Sequence, residues 1–335
     1  VALQPSWRRD LAGRSRYALR VTRFTIPFFG YHMPSFSLPG ATDETRFECL
    51  VSLACAAEDA GFDMVTVMDH FYQIAVHGSE EEPMLEAYAT LSALAARTSR
   101  VKLGTMVSGV TYRNPALLAK SVTTLDTISK GRALLGLGAA WNDDEHVGYG
   151  FEFPPIGERM SRLDEALQIC KLMFTEERPT FEGRYYQIHE ALNFPRPIQP
   201  GGPPILIGGS GERRTLRYVA RYGDMSNWWG SMDELKHYSE VLDQHCEAEG
   251  RDPSTILRTI MSPVILVADE SQADATLAHL SPERRAQVTP ATPAQAAEAL
   301  QPYLEAGFGG FIFRNTTMLT TEAIGLAGEL IGLMR

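Results

Sequence analysis

Asp69-His70 closes an apolar run, DMVTVMDHF (63–71). A histidine at a strand end titrates near neutral pH and suits general acid or base work, and a neighbouring carboxylate orients such a ring. The pair reads equally well as a structural hydrogen-bonding group. A second stretch, LLGLGAAWNDDEHVGYG (134–150), breaks at Gly136 and Gly138 and passes into Trp141, Asn142, three acids and His146. Asp143, Asp144, Glu145 and His146 are metal-ligand types, but consecutive residues on one helical turn point apart, and hard cations draw ligands from several elements. They read as a solvated helix start with one or two functional members, and no metal site is expected. A third stretch, Gly208-Gly209-Ser210-Gly211, lies between a strand and a helix start. It is either a tight turn or an anion seat in which amides and the helix dipole hold phosphate. No Gly-Lys-Ser/Thr follows it, and Gly136-Leu137-Gly138 lacks the third glycine of a dinucleotide fingerprint. Trp141, Trp228 and Trp229 stand at two strand ends, as walls for a flat ligand or as rim packing. A phosphate seat, aromatic walls and one histidine together suit a flat, phosphate-bearing redox cofactor.

Strand-like and helix-like segments alternate from Phe24 onward and must position these groups. The spacing predicts strands at 24–29, 63–71, 101–109, 132–138, 203–209, 224–230, 259–268 and 309–315. Helices are expected over 43–60, from Pro83 to Ala96, from Pro115 behind an Asn114 cap, over 157–174, from a Ser210 cap to Gly223, over 232–249 and 293–306, and from about Glu322. FEGRYYQI (181–188) reads as a small hairpin. Two joints repeat: EDAGFDMVTV (58–67) and LEAGFGGFIF (304–313) each run helix, glycine stop, aromatic, buried strand. Eight strand-helix units predict a parallel (β/α)8 barrel, with an open doubly wound sheet as the alternative. In a barrel the chemistry gathers at the carboxyl ends of the strands. One rim then unites Asp69-His70, Thr105 to Ser108, Gly138 to His146, the glycine turn, Asn227 to Trp229 and Arg314-Asn315.

The chain has 335 residues, 44% of them apolar, which suffices for a large core. Its formal charge of −10 argues against a broad nucleic-acid-binding face. No apolar run approaches the roughly 20 residues that span a bilayer. Cys49, Cys55, Cys170 and Cys246 show no CxxC spacing and read as small buried hydrophobes in a reducing, cytoplasmic setting. Residues 1–20 carry five arginines against one acid and read as a disordered basic leader or extended translation start, with a transit-like segment as the alternative.

Several runs, in collinear order, carry a family resemblance: VMDHF (67–71), LGTMVSGVTYRNPALLAK (103–120), LGLGAAWNDDEHVGYGFEFPPIGERMSRLDEAL (135–167), ALNFPRPIQ (191–199) and PPILIGGSGERRTL (203–216). Through them the chain resembles the bacterial luciferase-like monooxygenase superfamily, and within it the branch that uses the deazaflavin coenzyme F420. The resemblance implies a single TIM-barrel domain over 21–335, with an insertion at about 145–202 and a flavin or deazaflavin across the rim. It implies that His70 exchanges a proton beside the ring, with Asp69 next to it. It matches Thr105, Met106 and Val107 to a bulge after the third strand, with a non-proline cis bond at Met106–Val107. It matches Ala139, Ala140, Asn142 and His146 to the wall beside the ring, and Gly208, Gly209, Ser210 and Gly211 to the phosphate seat.

Two departures stand out. Relatives commonly have glycine where this chain has Ala140, whose methyl either narrows the ring pocket or is accommodated by a negative φ. The sugar-phosphate dehydrogenase relatives have a glutamate at roughly the position of Trp141, so sugar-phosphate oxidation by their mechanism is not expected. The resemblance implies an F420-dependent oxidoreductase acting on a small organic substrate, by reduction of an activated C=C or C=N bond or by reversible alcohol oxidation. An FMN-dependent monooxygenase is the alternative, and a non-catalytic binding barrel a third reading. Substrate contacts are expected from Phe28, Tyr31, His32, Trp141, Tyr149, Trp229 and Arg314, and family analogy implies a homodimer.

Overall fold

Glycine stops set the rhythm of the chain. Gly61 and Gly307 both adopt positive φ, 95° and 90°, and end helices ahead of the buried Phe62 and Phe308. The computed structural model describes residues 24–278, 280 and 285–335. The expected leader, residues 1–20, lies outside the described residues. Eight parallel strands follow in order among them: β1 (Phe28–Met33), β2 (Met64–Val67), β3 (Lys102–Thr105), β4 (Ala133–Gly138), β5 (Ile205–Gly208), β6 (Met225–Trp228), β7 (Leu257–Met261) and β8 (Gly310–Arg314). Their lateral order is β3-β2-β1-β8-β7-β6-β5-β4, and β3 pairs with β4 to close the ring. The (β/α)8 barrel expected from the eight units is the fold.

The helices around it are α1 (Arg46–Asp59), α2 (Ala87–Arg97), α3 (Pro115–Ile128), α4 (Asp143–Tyr149), α5 (Ile156–Thr175), α6 (Thr215–Tyr222), α7 (Met232–Ala248), α8 (Pro293–Glu305) and α9 (Thr321–Met334). Asn114 caps α3 by accepting from the Ala116 amide at 2.9 Å, ahead of Pro115 in the first turn. Between β4 and β5 the chain adds α4, α5 and the short hairpin of Phe181–Glu182 with Gln187–Ile188. No helix among the described residues is long and apolar enough to cross a membrane.

Four expected boundaries move. β1 starts at Phe28 rather than Phe24, because Pro27 has no N–H for the ladder, which opens with Phe28 N donating to Gly309 O at 2.9 Å. Gly30, which looks like a break, lies inside β1, where a side chain would collide with Ile312 of β8. α2 starts at Ala87 behind a Glu86 cap, so Pro83 belongs to the loop. α6 starts at Thr215, so Ser210 is a turn residue and not a cap. The expected 259–268 strand splits at Ser262-Pro263: Val264–Leu266 leaves the barrel and pairs with Thr289–Ala291.

The barrel interior is filled from below by Phe28, Met64, Leu134, Leu206, Met225 and Leu257, with Met261 and Ile312 above them. Higher up the side chains give way to glycine. A Cβ on Gly138 or Gly208 would lie 2.9 Å from a Val107 methyl, and one on Gly136 would lie 3.2 Å from it. Val107 therefore plugs the mouth against a side-chain-free surface.

Candidate active site

Val107 reaches that position through a bulge. Gly104 faces Leu134 and Ser108 faces Leu137, so four steps on one strand oppose three on the other. The Met106–Val107 bond is cis. Thr105 is fully buried and holds the bulge from behind: its hydroxyl lies 3.0 Å from Ser108 Oγ and donates to Gly136 O at 3.1 Å. Tyr88 completes this chain, 3.0 Å from Ser108 Oγ. Thr105 thus braces the bulge, in place of the cofactor contact expected of it, whereas Met106 and Val107 remain partly accessible at the mouth.

His70 stands on the rim segment after β2. Its Nδ1 lies 2.5 Å from Glu145 Oε2. Glu145, on α4, is fully buried and also accepts from the Phe71 amide at 2.5 Å, from Tyr112 Oη at 3.0 Å and from Asn142 Nδ2 at 3.0 Å. Burial would raise its carboxyl, but the His70 ring, the Phe71 amide and Tyr112 outweigh burial and hold it below its ordinary value. A carboxylate only accepts, so Nδ1 carries the hydrogen and Nε2 is the nitrogen free to exchange a proton. The expected orienting acid, Asp69, turns elsewhere. It forms a two-point pair with Arg113, at 2.5 and 2.9 Å. Burial pushes the Asp69 carboxyl up, against the pull of Arg113 and Ser108.

α4 was expected to be a solvated helix start with one or two functional members. Asp143 and Asp144 are exposed, as such a start requires, but Glu145 one residue on points inward. The signal in the sequence is the spacing Asn142-x-x-Glu145, the pattern of a helix amino terminus whose third residue folds back. Gln in place of Glu145 keeps the size but removes the charge that supports a protonated His70. Glu145→Gln is expected to lower kcat roughly tenfold to a hundredfold. Cofactor affinity, followed by titration, is expected to stay the same.

Other candidates divide. His146 is fully buried, with Nδ1 donating to Asn142 O at 2.6 Å and Nε2 2.7 Å from Thr111 Oγ1. Both ring nitrogens are spent on the protein, so His146 is a packing residue and not part of the ring wall. Asn142 is nearly buried and serves Glu145. Phe28 belongs to the barrel floor, and Tyr31 faces the outer layer, donating to Met318 O at 2.7 Å; the late start of β1 removes both from the rim. Trp228 is fully buried against Tyr238 and Phe308, whereas Trp229, Trp141 and Tyr149 are all more than half exposed at the rim. Trp141 meets the His70 ring edge-on, with centroids 5.6 Å apart.

His32 and Arg314 face each other in register across β1 and β8. His32 is buried, 3.0 Å from Thr66 Oγ1. Burial first, then Arg314 and His77, hold its pKa well below the ordinary 6.5. The unfolded chain therefore takes up the proton first as pH falls through 6.5. Stability is fully present above that pH and is lost below it, with a limiting slope of about 1.4 kcal/mol per pH unit for one proton. Denaturant titrations between pH 7 and 5 are expected to show this loss, and His32→Gln is expected to flatten it.

Ala140 has φ 61°, so its methyl is held on left-handed backbone and the negative-φ alternative does not apply. The methyl also covers Gly109, whose own Cβ would lie 3.1 Å from it. Ala140→Gly is expected to gain up to about 1 kcal/mol in thermal unfolding, since relief of the left-handed strain exceeds glycine's entropic cost.

The glycine turn has the features of a seat for a cofactor phosphate. The Gly208–Gly211 turn has positive φ at Gly209, 101°, and a Cβ on Gly211 would lie 2.9 Å from Thr215 Oγ1. The amino end of α6 beside it has no side-chain cap. A glycine turn before an uncapped helix start is the chemistry of a phosphate seat. Beside His70 lies a cavity of about 350 Å³.

A family model described as luciferase-like monooxygenase matches residues 28–324. The chain belongs to that family. The F420-dependent glucose-6-phosphate dehydrogenase of Kineococcus radiotolerans is 34% identical to this luciferase-like chain over 297 residues, covering 79% of this chain and 86% of the relative. An F420-dependent secondary alcohol dehydrogenase in complex with an F420-acetone adduct superposes with a TM-score of 0.78 at 20% identity, covering 93% of this chain and 100% of the other. The EDTA monooxygenase of Chelativorans sp. BNC1 superposes with a TM-score of 0.79 at 15% identity, covering 92% and 93%. At these identities the two structures speak for the fold alone, which a dehydrogenase and a monooxygenase both carry.

Proposed function

We propose that this chain is an F420-dependent oxidoreductase that moves a hydride between the deazaflavin and a small organic substrate. The observation that carries the reading is the Glu145–His70 pair, 2.5 Å apart at the barrel mouth. Support for the cofactor comes from the relative named for F420 at 34% identity and from the glycine turn before α6. When bound, the deazaflavin supplies the ring carbon that takes up or gives the hydride. Gly208 to Gly211 with the amino end of α6 would hold its phosphate, and Met106, Val107, Ala139 and Ala140 would lie beside the ring. His70 Nε2 moves the proton that accompanies the hydride, to or from the substrate oxygen or the atom next to the reacting carbon. Glu145 stabilises the protonated ring while it carries that charge. Trp141 packs edge-on against the His70 ring and helps to fix its orientation.

The reaction is reduction of an activated C=C or C=N bond, or reversible oxidation of an alcohol. The protein acts in the cytoplasm, in keeping with four unpaired cysteines, and as a homodimer. Anaerobic assays with F420 and a panel of alcohols, enones and imines test this. Turnover without oxygen is expected. Oxygen uptake in step with substrate loss, supported by FMN and not by F420, would replace the reading with the FMN monooxygenase.

A further inference from the structure

The cavity beside His70 has a wall that neither the glycine turn nor the bulge contributes to. It is built by Phe71, Tyr112, Tyr149 and Phe151, with Met84. Phe71 and Tyr149 stack with centroids 4.5 Å apart, and Tyr149 and Phe151 lie within 10° of parallel. Tyr149 and Phe151 are 55% and 36% exposed, so the cluster still presents aromatic surface to a guest although Tyr149 stacks on Phe71. Two charged groups, Glu86 and Arg113, complete the lining. Arg113 is already paired: it meets Asp69 through Nη1 at 2.5 Å and Glu86 through Nη2 at 2.5 Å, while its guanidinium lies 4.9 Å from the Tyr88 ring centroid. Around the cavity, one guanidinium thus faces two carboxyl groups, and His70 already faces the third, Glu145. Both basic groups lining the cavity, Arg113 and His70, are thus already paired with carboxylates. The other inward rim cation, Arg314, lines a separate small depression with Ser262, Thr316 and Thr317.

We infer that this cavity is the substrate site and selects a flat, uncharged, largely apolar molecule bearing the reacting C=O or C=C group, excluding phosphorylated and carboxylated compounds. The inference rests on the proposed function for His70's part in the reaction, and sets this chain apart from the relative named as a glucose-6-phosphate dehydrogenase. A phosphate placed beside Glu86 would meet repulsion and lose its water, while Arg113 next to it is already paired with two carboxylates. A planar ring placed on the Phe71–Tyr149–Phe151 surface gains stacking and apolar burial.

Calorimetric titration of the full chain, with and without F420, tests this using three probes. Benzylideneacetone is a flat neutral enone, cinnamate replaces its acetyl group by carboxylate, and glucose 6-phosphate is the sugar anion. Benzylideneacetone is expected to bind at least about tenfold more tightly than cinnamate, and glucose 6-phosphate to give no detectable binding. Phe71→Ala is expected to weaken the enone about tenfold. Glu86→Gln, which removes one of the repelling charges and keeps the α2 cap, is expected to narrow the enone-to-cinnamate ratio. Cinnamate or glucose 6-phosphate binding as tightly as the enone, no enone binding in either form, or an unchanged ratio in Glu86→Gln would overturn the inference. Tight F420 binding alongside any of these results leaves the deazaflavin reading standing. Enone binding without F420 binding sinks that reading instead.

Discussion

His70→Ala is expected to turn over about 10²- to 10⁴-fold more slowly than the parent while binding the cofactor with little change. Every observation at the mouth converges on this one nitrogen. Nδ1 is tied to Glu145 at 2.5 Å, the ring meets Trp141 edge-on, and His70 lines the cavity. The two other rim histidines are not substitutes. His146 spends both nitrogens on Thr111 and Asn142, and His32 is buried and hard to protonate. The loss is therefore expected in kcat, with the apparent cofactor affinity preserved, because the proposed phosphate seat is the Gly208–Gly211 turn between β5 and α6, away from His70 on the β2 rim. Near-normal turnover in His70→Ala would remove the residue from the mechanism.

The second large effect concerns the fold that carries the bulge. Gly136→Ala is expected to destabilise the protein by more than about 3 kcal/mol, or to prevent folding. A Cβ at this position would lie 1.9 Å from Thr105 O, a backbone atom that cannot move without breaking the β3–β4 pairing. It would also press on Val107 at 3.2 Å, and so on the floor of the mouth. Gly325 on α9 supplies the control, since a Cβ there meets nothing within 4 Å. Gly325→Ala is expected to stabilise by about 0.5–1 kcal/mol through helix propensity alone. Thermal unfolding of the two variants separates a steric requirement from a general intolerance of alanine.

The barrel was legible because helix and strand periods alternate and glycines punctuate them, as at Gly61 and Gly307. His70 and the Gly208–Gly211 turn were legible because a polar or glycine-rich group at the end of an apolar strand falls on the carboxyl rim. Three things were hidden, each for a physical reason. β1 was displaced because Gly30 resembles a terminator, when it is a close approach to Ile312. That displacement misplaced Phe28 and Tyr31, since a strand's side chains alternate between core and helix layer. Glu145 was masked by Asp143 and Asp144, which share its charge but not its direction. The aromatic cavity draws Phe71, Tyr112 and Phe151 from separate segments, and their meeting depends on how α4 folds back over the rim, which no local pattern encodes.

The most direct measurement is a titration of the full chain with F420 and with FMN, following cofactor fluorescence. The account predicts F420 binding at least about tenfold tighter than FMN, weakened by alanine at Gly209, where φ is 101°, and indifferent to oxygen. Tight FMN binding with F420 excluded would contradict it.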